Sequence, residues 1–247
     1  RSWMDEYHSL SLESNNSDLV PVYAEAFPES YKEDFDASIG VADALIIEKL
    51  EPGELALDLY APVVSDSREL RFKVMRVGPA MPLTKILPIL ERLGVEVLDE
   101  HPYEIRRKDR APAWILDFGL VLPKGEIYGA DTLFARFESA FEAAWRGQIA
   151  SDSFNSLVTQ AGLTWQEAQL IRAYARYMRQ IGSTFGQGYI EMVILENAEI
   201  SRLLIEFFRV RFDPVFGGDR ESESHTAREQ FDASLVLVPS LDHDRIL

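Results

Sequence analysis

The chain has no cysteine among its 247 residues, so disulfide bonds and thiolate metal sites are excluded. A chain without disulfides is typical of a reducing compartment, and we expect a cytoplasmic location. Long apolar runs are also missing. Candidates such as 42–47 stop after six residues, whereas a membrane-spanning helix needs about 20. The N-terminal residues lack the basic, apolar and small-residue pattern of a signal peptide.

Positive charge is scarce, because 25 Lys and Arg face 41 Asp and Glu and leave a net charge of -16. A field of that sign repels nucleic acid and anionic lipid. The main basic cluster, 106–110, lies between two strand-like runs, and we interpret it as a solvated hairpin loop. The sequence therefore predicts neither a nucleic-acid partner nor a membrane partner.

Recognisable catalytic motifs are absent from the sequence. Neither G-x-G-x-x-G nor G-x-x-x-x-G-K-[ST] occurs, and the nearest glycine group, 182–188, is interpreted as a turn between two helices. No serine stands in a G-x-S-x-G pattern. The four histidines have no metal-ligand spacing. We therefore assign no catalytic, cofactor-binding or metal-binding residue.

Hydrophobic residues make up 47% of the chain, enough for a packed core, and the first segment, 1–52, is predicted to be helical. Its aromatic residues recur every fourth position on one helical face, which Pro28 interrupts: Tyr23, Phe27, Tyr31 and Phe35. Asp36 is predicted to cap a second helix. The expected apolar positions of that helix are Val41, Ala42, Leu45 and Ile46.

The second segment, 53–150, begins with a period of two. Leu55, Leu57 and Leu59 predict one strand, and Leu70, Phe72 and Val74 predict a second, joined by a polar turn at 65–67. On the opposite face of this hairpin, which we expect to be exposed, Arg71 and Lys73 are predicted to lie near Asp58.

A helix then follows the connection 78–82, with Pro88 expected to deform it and Gly94 to end it. Residues 95–106 predict an edge strand broken at His101 and Pro102. Residues 113–122 predict a further strand, and a helix begins at Asp131 or Thr132.

The resulting order is strand, strand, helix, strand, strand, helix. Packing both helices on one apolar face of a single antiparallel sheet satisfies these patterns. The predicted fold class is therefore α+β: a circularly permuted ferredoxin-like domain of the ACT type, with helical segments on either side.

The remaining segments, 151–216 and 217–247, are predicted to be a helical motif and a linker that leads into another helix. Thr164 and Glu167 form a capping box before a helix with Ala168, Ile171, Tyr174, Ala175, Met178 and Ile181 on its inner face. Asn197 is predicted to cap a helix that buries Phe207 and Phe208. Residues 217–226 are glycine-, serine- and charge-rich, which is typical of a linker.

One loop is a candidate effector site: Gly78, Pro79, Ala80 and Met81. It joins a strand to a helix N-terminus, where backbone donors and the helix dipole favour a carboxylate. The alternative is a tight turn that binds no ligand.

Several strings of the sequence resemble the very large bacterial NAD-specific glutamate dehydrogenases. They are AFPESYKEDF at 26–35, PLTKILPILERLG at 82–94, DEHPY at 99–103, WILDFG at 114–119, LIRAYARY at 170–177 and FFRVRFDP at 207–214. The final residues, SLDHDRIL at 240–247, are similar as well. The resemblance runs in one order from about residue 20 to the C-terminus. It is weak in the first twenty residues and in the predicted linker that starts at 217.

The resemblance implies that the chain is a piece of the N-terminal regulatory region, comprising an ACT-like module and helical motifs, and its abrupt ends suggest excision. The family's glutamate-binding lysines and dinucleotide-binding glycines lie downstream, so no catalytic role transfers to any residue here. For the parent, the resemblance implies an NAD-dependent oxidoreductase and a cytoplasmic homo-oligomer. The chain itself is expected to be an inactive regulatory and oligomerisation segment; the alternative is an amino-acid-sensing ACT module.

Overall fold

The computed structural model describes residues 2–62 and 68–247, and it has the mixed α+β architecture that the sequence predicts. The chain forms two compact units. The first comprises the chain up to Leu87 together with Val97–Val121, and the second comprises Pro88–Glu96 and Leu122–Leu247. Within the described ranges, no helix is both long enough and apolar enough to cross a membrane.

The first unit begins with four helices: α1 (Trp3–Glu13), α2 (Val20–Tyr23), α3 (Glu29–Asp34) and α4 (Ala37–Glu48). A capping box starts α1, since Ser2 Oγ accepts from the Asp5 amide at 3.2 Å and Asp5 Oδ2 accepts from the Ser2 amide at 3.0 Å. The helical character expected for the N-terminal segment is confirmed.

The row of aromatic residues lies on one side of α2 and α3, as predicted, and Pro28 separates the two helices. Successive ring centroids of Tyr23, Phe27, Tyr31 and Phe35 are 6.0, 4.7 and 4.8 Å apart. All four side chains are buried. The row therefore forms part of the core of the first unit.

The buried face of α4 differs from the predicted one. Asp36 occupies the N-cap position but its side chain makes no capping hydrogen bond. Ala42 is exposed, whereas Asp43 is buried beside Val41 and Ala44. The helix is apolar on most sides, so hydrophobicity alone does not fix its rotation. Polar partners of Asp43 fix it instead, as described below.

The sheet contains β1 (Leu55–Tyr60), β2 (Glu69–Val77), β3 (Glu96–Ile105) and β4 (Ala113–Val121), antiparallel in the order β1-β2-β4-β3. Helix α5 (Leu83–Arg92) connects β2 to β3, so this single crossover passes β4. This is the permuted ferredoxin-like order that the sequence predicts. The predicted turn at 65–67 lies outside the described residues.

Both faces of this sheet are covered, which corrects the expectation of an exposed outer face. Phe72 and Phe118 are fully buried on one face, and Met75 and Ile115 are fully buried on the other. Residues of α3 and α4 pack with Met75 and Ile115 in one core cluster. The N-terminal helices therefore cover the face that alternation alone assigned to solvent.

Two prolines behave differently from the prediction. The edge strand β3 continues through His101 and Pro102 without a break, since an edge position leaves the missing amide unneeded. Pro88 lies inside a continuous α5. Gly94 follows that helix with φ 81°, which confirms its predicted role at the helix end.

The second unit is helical. Its helices are α6 (Leu133–Trp145), α7 (Leu157–Gln160), α8 (Trp165–Gln180), α9 (Gln187–Glu196), α10 (Ala198–Phe212), α11 (Arg220–Val236) and α12 (Leu241–Ile246). The capping box of α8 is confirmed: Thr164 Oγ1 accepts from the Glu167 amide at 3.2 Å, and Glu167 Oε2 accepts from the Thr164 amide at 3.0 Å. Asn197 stands at the N-cap of α10 without a side-chain capping bond.

The predicted linker from 217 is wrong for most of its length, because α11 occupies it. Asp219 Oδ1 accepts from the amides of Glu221 and Ser222 at 3.1 and 3.3 Å and starts the helix. Ion pairs one turn apart, such as Arg228 with Asp232 at 3.7 Å, support its exposed side. Tyr174 on α8 and Ile181 just after it are exposed, so their predicted place on the inner face is wrong.

Candidate functional site

The predicted effector loop, 78–81, connects β2 to α5. Gly78 has φ 112°, a conformation that favours glycine, and its amide donates to the Pro112 carbonyl at 2.8 Å. Pro79 and Ala80 are exposed, while Met81 is buried. The loop is thus a tight turn with an open outer side, and its role in binding stays a prediction.

A different group of residues forms the main polar site of the first unit, between α4 and the sheet. Lys73 Nζ on β2 lies 2.8 Å from Asp43 Oδ2 on α4, and both side chains are almost fully buried. The Tyr31 hydroxyl donates to the same Asp43 oxygen at 2.6 Å. One carboxylate oxygen therefore joins the N-terminal helices to the sheet.

Aromatic rings complete the surroundings of the Lys73 ammonium. Lys73 Nζ lies 4.1 Å from the centroid of Phe35 and 5.8 Å from that of Tyr60. Ring faces attract a cation, and this attraction offsets part of the cost of removing the charge from water. The site is therefore built to hold one buried positive charge.

A second cluster of charges lies beside the first on the same sheet face. The register places Asp117 of β4 opposite Lys73. Asp117 accepts from Arg71 Nε at 3.2 Å and from the Tyr60 hydroxyl at 2.8 Å. Arg71 Nη1 also contacts Asp99 Oδ1 on β3 at 2.7 Å. This cluster links all four strands of the sheet.

Gly119 makes room for that cluster. Its amide donates to Asp99 Oδ1 at 3.2 Å. A Cβ atom at position 119 would stand 2.8 Å from Arg71 Nη1 and 2.9 Å from Asp99 Oδ1. These distances are shorter than van der Waals contact, so a larger residue here would displace the ends of the Arg71 and Asp99 side chains.

A third group lies at the sheet edge. The Tyr103 hydroxyl donates to Asp34 Oδ2 at 2.5 Å, and His101 Nδ1 lies 3.4 Å from the same oxygen. The hydrogen bond from Tyr103 lowers the pKa of Asp34, despite an opposing contribution from burial.

Burial acts in the opposite direction within the sheet. It raises the pKa of Asp117, although Arg71, Tyr60 and Lys73 favour the ionised carboxylate. Burial likewise raises the pKa of Asp58, against the attraction of Lys73. Burial followed by the charge of Asp43 raises the pKa of Tyr31. The charged groups of the network are therefore paired with one another in a site that is largely shielded from water.

The C-terminal end of α4 is anchored by the basic cluster that follows β3. Arg107 Nη1 lies 3.1 Å from Glu48 Oε1, and Arg110 contacts the other oxygen. Burial disfavours ionisation of Glu48, but hydrogen bonds from Tyr23, Arg110 and Arg107 outweigh it and lower its pKa. The cluster is not simply a solvated loop, as the sequence suggested, because it binds a helix end.

Sequence reasoning missed this network. The predicted strands contain the charged residues Arg71, Lys73 and Asp117. Charges that alternate with apolar residues are also expected on the exposed face of a half-buried strand, so they do not by themselves indicate a buried network. The available signal was Asp43, a carboxylate within the apolar run of α4. A buried carboxylate needs a cation, and that requirement points to a charged residue on the sheet.

The arrangement contains no pairing of a nucleophile with a base, and its charges are directed at one another. Within 2–62 and 68–247, no group of three or more His, Cys, Asp or Glu side chains is placed to hold a metal ion. The geometry serves to dock helices on a sheet in one orientation.

Comparison with known families assigns each part of this arrangement. Three models of glutamate dehydrogenase segments match the chain: helical motif 2 at 13–50, the ACT3 domain at 54–133 and helical motif 3 at 149–214. The chain belongs to the glutamate dehydrogenase family. Within this family, Tyr31 and Asp43 fall in helical motif 2, whereas Arg71, Lys73 and Asp117 fall in the ACT3 domain.

Individual relatives in the glutamate dehydrogenase family agree. The chain is 34% identical to the NAD-specific glutamate dehydrogenase of Halomonas elongata, 32% to that of Pseudomonas aeruginosa and 35% to that of Mycobacterium tuberculosis. Each match covers 100% of this chain and 16% of the relative. The chain therefore corresponds to a small part of these proteins.

Proposed function

We propose that this chain is a non-catalytic regulatory and oligomerisation segment of an NAD-dependent glutamate dehydrogenase. The parent oxidoreductase converts L-glutamate, NAD and water to 2-oxoglutarate, ammonium and NADH, a reaction of amino-acid catabolism in the cytoplasm. The observation that carries the proposal is the buried ion pair of Asp43 and Lys73, which docks helical motif 2 on the ACT3 sheet.

A polar interface of this kind suits regulation. An apolar interface tolerates sliding, whereas a buried ion pair with a hydrogen-bonded tyrosine is satisfied in one orientation only. Movement of the helices relative to the sheet therefore breaks several bonds together, so we expect the helices to undock in one step. Such a two-state element is what an allosteric signal acts on.

The residues of this chain do not fit a bound dinucleotide. The strand-to-helix connections 78–82 and 122–132 lack the G-x-G-x-x-G spacing that brings a backbone close to a pyrophosphate. We propose that NAD and glutamate bind to other domains of the parent enzyme. Those domains are also the expected binding partners of this segment.

Homo-oligomerisation is the second part of the proposal. Large apolar side chains are exposed on several elements of the chain, including Leu12 on α1, Leu98 on β3 and Phe212 on α10. Exposed apolar side chains of this size favour contact with another surface when they fall in one patch. We expect neighbouring copies or neighbouring domains to cover them.

A direct test uses the full-length protein with Asp43→Asn. The catalytic domains are untouched, so the variant is expected to retain turnover but to change its dependence on effectors or its oligomer mass. Arg228→Ala removes the cation of an exposed ion pair with Asp232 on α11 and serves as the control. Wild-type kinetics and mass in a folded Asp43→Asn protein would contradict the regulatory role.

The alternative function is an ACT-type module that senses an amino acid at the loop 78–81. The observation that favours it is the exposed outer side of Pro79 and Ala80 next to the start of α5. In a thermal-shift series with amino acids, a ligand at about 100 times its dissociation constant adds about 2.7 kcal/mol of stability. Gly78→Val, which cannot easily adopt the glycine conformation, is expected to abolish the shift. No stabilisation by any amino acid contradicts this alternative.

A further inference from the structure

A cavity of about 280 Å³ lies within the second unit, among α8, α9, α10 and α12. The side chains that line it are almost all apolar or aromatic, among them Ile171, Met178, Leu204, Phe207, Phe208 and Ile246. An apolar cavity of about half that volume binds benzene. The space is therefore large enough for an aromatic ring or a medium-length alkyl chain.

A buried hydroxyl faces this apolar space. Ser201 on α10 is 3% exposed and belongs to the lining. A serine hydroxyl can both donate and accept a hydrogen bond, so a ligand with a polar atom near its apolar body can bond to it.

A positive charge lies at the edge of the same cavity. The Arg211 guanidinium carbon is 5.8 Å from the ring centroid of Phe207 and 6.0 Å from that of Phe212, and both rings line the cavity. Arg211 is exposed and forms no ion pair within the described residues, whereas Arg209 pairs with Glu167. The chain has a net charge of -16, so this arginine makes the opening of the cavity locally positive on an otherwise negative protein.

We infer that this cavity binds a small amphiphilic carboxylate. The apolar chain or ring occupies the space between α8 and α10, and the carboxylate pairs with Arg211 at the mouth. Pockets for small ligands have this composition, with apolar walls and a few polar groups that fix orientation. The site is separate from the loop 78–81, and the inference does not depend on the proposed parent activity.

A small molecule accounts for the observations better than a second copy of this chain. Ser201 lies inside the cavity, where a flat protein surface does not reach it. Ile246 of α12 and the following Leu247 line one side and make the space partly enclosed.

The test measures binding of octanoate and of 1-octanol to the full 247-residue chain by calorimetry. Octanoate is expected to bind in the submillimolar to millimolar range. Arg211→Gln is expected to weaken octanoate about 3- to 5-fold and to leave 1-octanol unchanged. Arg228→Gln on α11, whose arginine pairs with Asp232, is the matched control and is expected to change neither.

Ser201→Leu provides a second variant, which fills the cavity and is expected to abolish binding of both probes. If that variant does not fold, the Arg211 comparison still decides. Absence of octanoate binding to the wild-type chain overturns the inference. So does equal binding of octanoate to wild type and Arg211→Gln, or a chain whose cavity is blocked because it dimerises through these helices.

Discussion

Lys73 Nζ and Asp43 Oδ2 are 2.8 Å apart, and their side chains are 3% and 5% exposed. The Tyr31 hydroxyl completes this contact at 2.6 Å. The pair connects a helix of the N-terminal segment to a central strand of the sheet. Removing one partner leaves a charge in a dry site, whereas removing both leaves a space that apolar side chains can fill.

Asp43→Ala is therefore expected to lower the free energy of unfolding by about 3–5 kcal/mol, because Lys73 is left in a buried site without its counterion. Urea denaturation of the purified chain measures the loss. The double variant Asp43→Leu with Lys73→Met is expected to recover most of it. Arg228→Ala, at the exposed pair with Asp232, is expected to change stability by less than about 0.5 kcal/mol. A loss below about 1 kcal/mol for Asp43→Ala would contradict this account.

Gly119→Ala is expected to destabilise the chain by about 1–3 kcal/mol, since the new methyl group displaces Arg71 from Asp99. Gly217→Ala is the matched control, because a Cβ there meets nothing within 4 Å. The two variants are compared by the urea concentration at the midpoint. Equal midpoints would show that the Arg71–Asp99 pair adjusts without cost.

The pH dependence of stability is expected to have opposite signs at two carboxylates. The folded pKa of Asp117 is raised above its ordinary value of 3.8. Its contribution to stability is therefore fully present below pH 3.8 and is lost as the pH rises through the folded pKa. The folded pKa of Asp34 is lowered, so its contribution is present above 3.8 and is lost as pH falls.

Urea unfolding between about pH 3.5 and 6 separates these two effects. The stability difference between wild type and Asp117→Asn is expected to shrink as pH rises. For Asp34→Asn, the same difference is expected to shrink as pH falls. Parallel curves for the two variants would argue against the environments assigned to these carboxylates.

Thr164→Ala is expected to destabilise the chain by about 0.5–2 kcal/mol, because the Glu167 amide loses its partner at the start of α8. Thr164→Ser retains the hydroxyl and is expected to behave like the wild type. Thermal unfolding of the three proteins measures the effect. If the serine variant lost as much stability as the alanine variant, the methyl group of Thr164 and not its hydroxyl would be responsible.

The strand order and most helices could be predicted from the sequence because their periods are unambiguous. Leu55, Leu57 and Leu59 fit only a strand, and the box of Thr164 with Glu167 fits only a helix start. The helix α11 could not be predicted. Its apolar residues are few, and its stability depends on a capping aspartate and on ion pairs along its exposed side.

The site could not be predicted, for a different reason. Lys73 and Asp43 are 30 positions apart. The sequence around neither residue indicates which face of the sheet α4 covers. Alternation places Lys73 opposite the apolar face and leaves open whether water or helix α4 lies there. Only the packed structure shows that the polar face is also a buried face.

Light scattering of the purified chain over a range of concentrations measures whether it assembles. We expect a dimer or larger species whose mass stays constant on dilution, because exposed apolar residues such as Leu98 and Leu12 then lie in an interface. A monomer of 28.1 kDa at every concentration would contradict it.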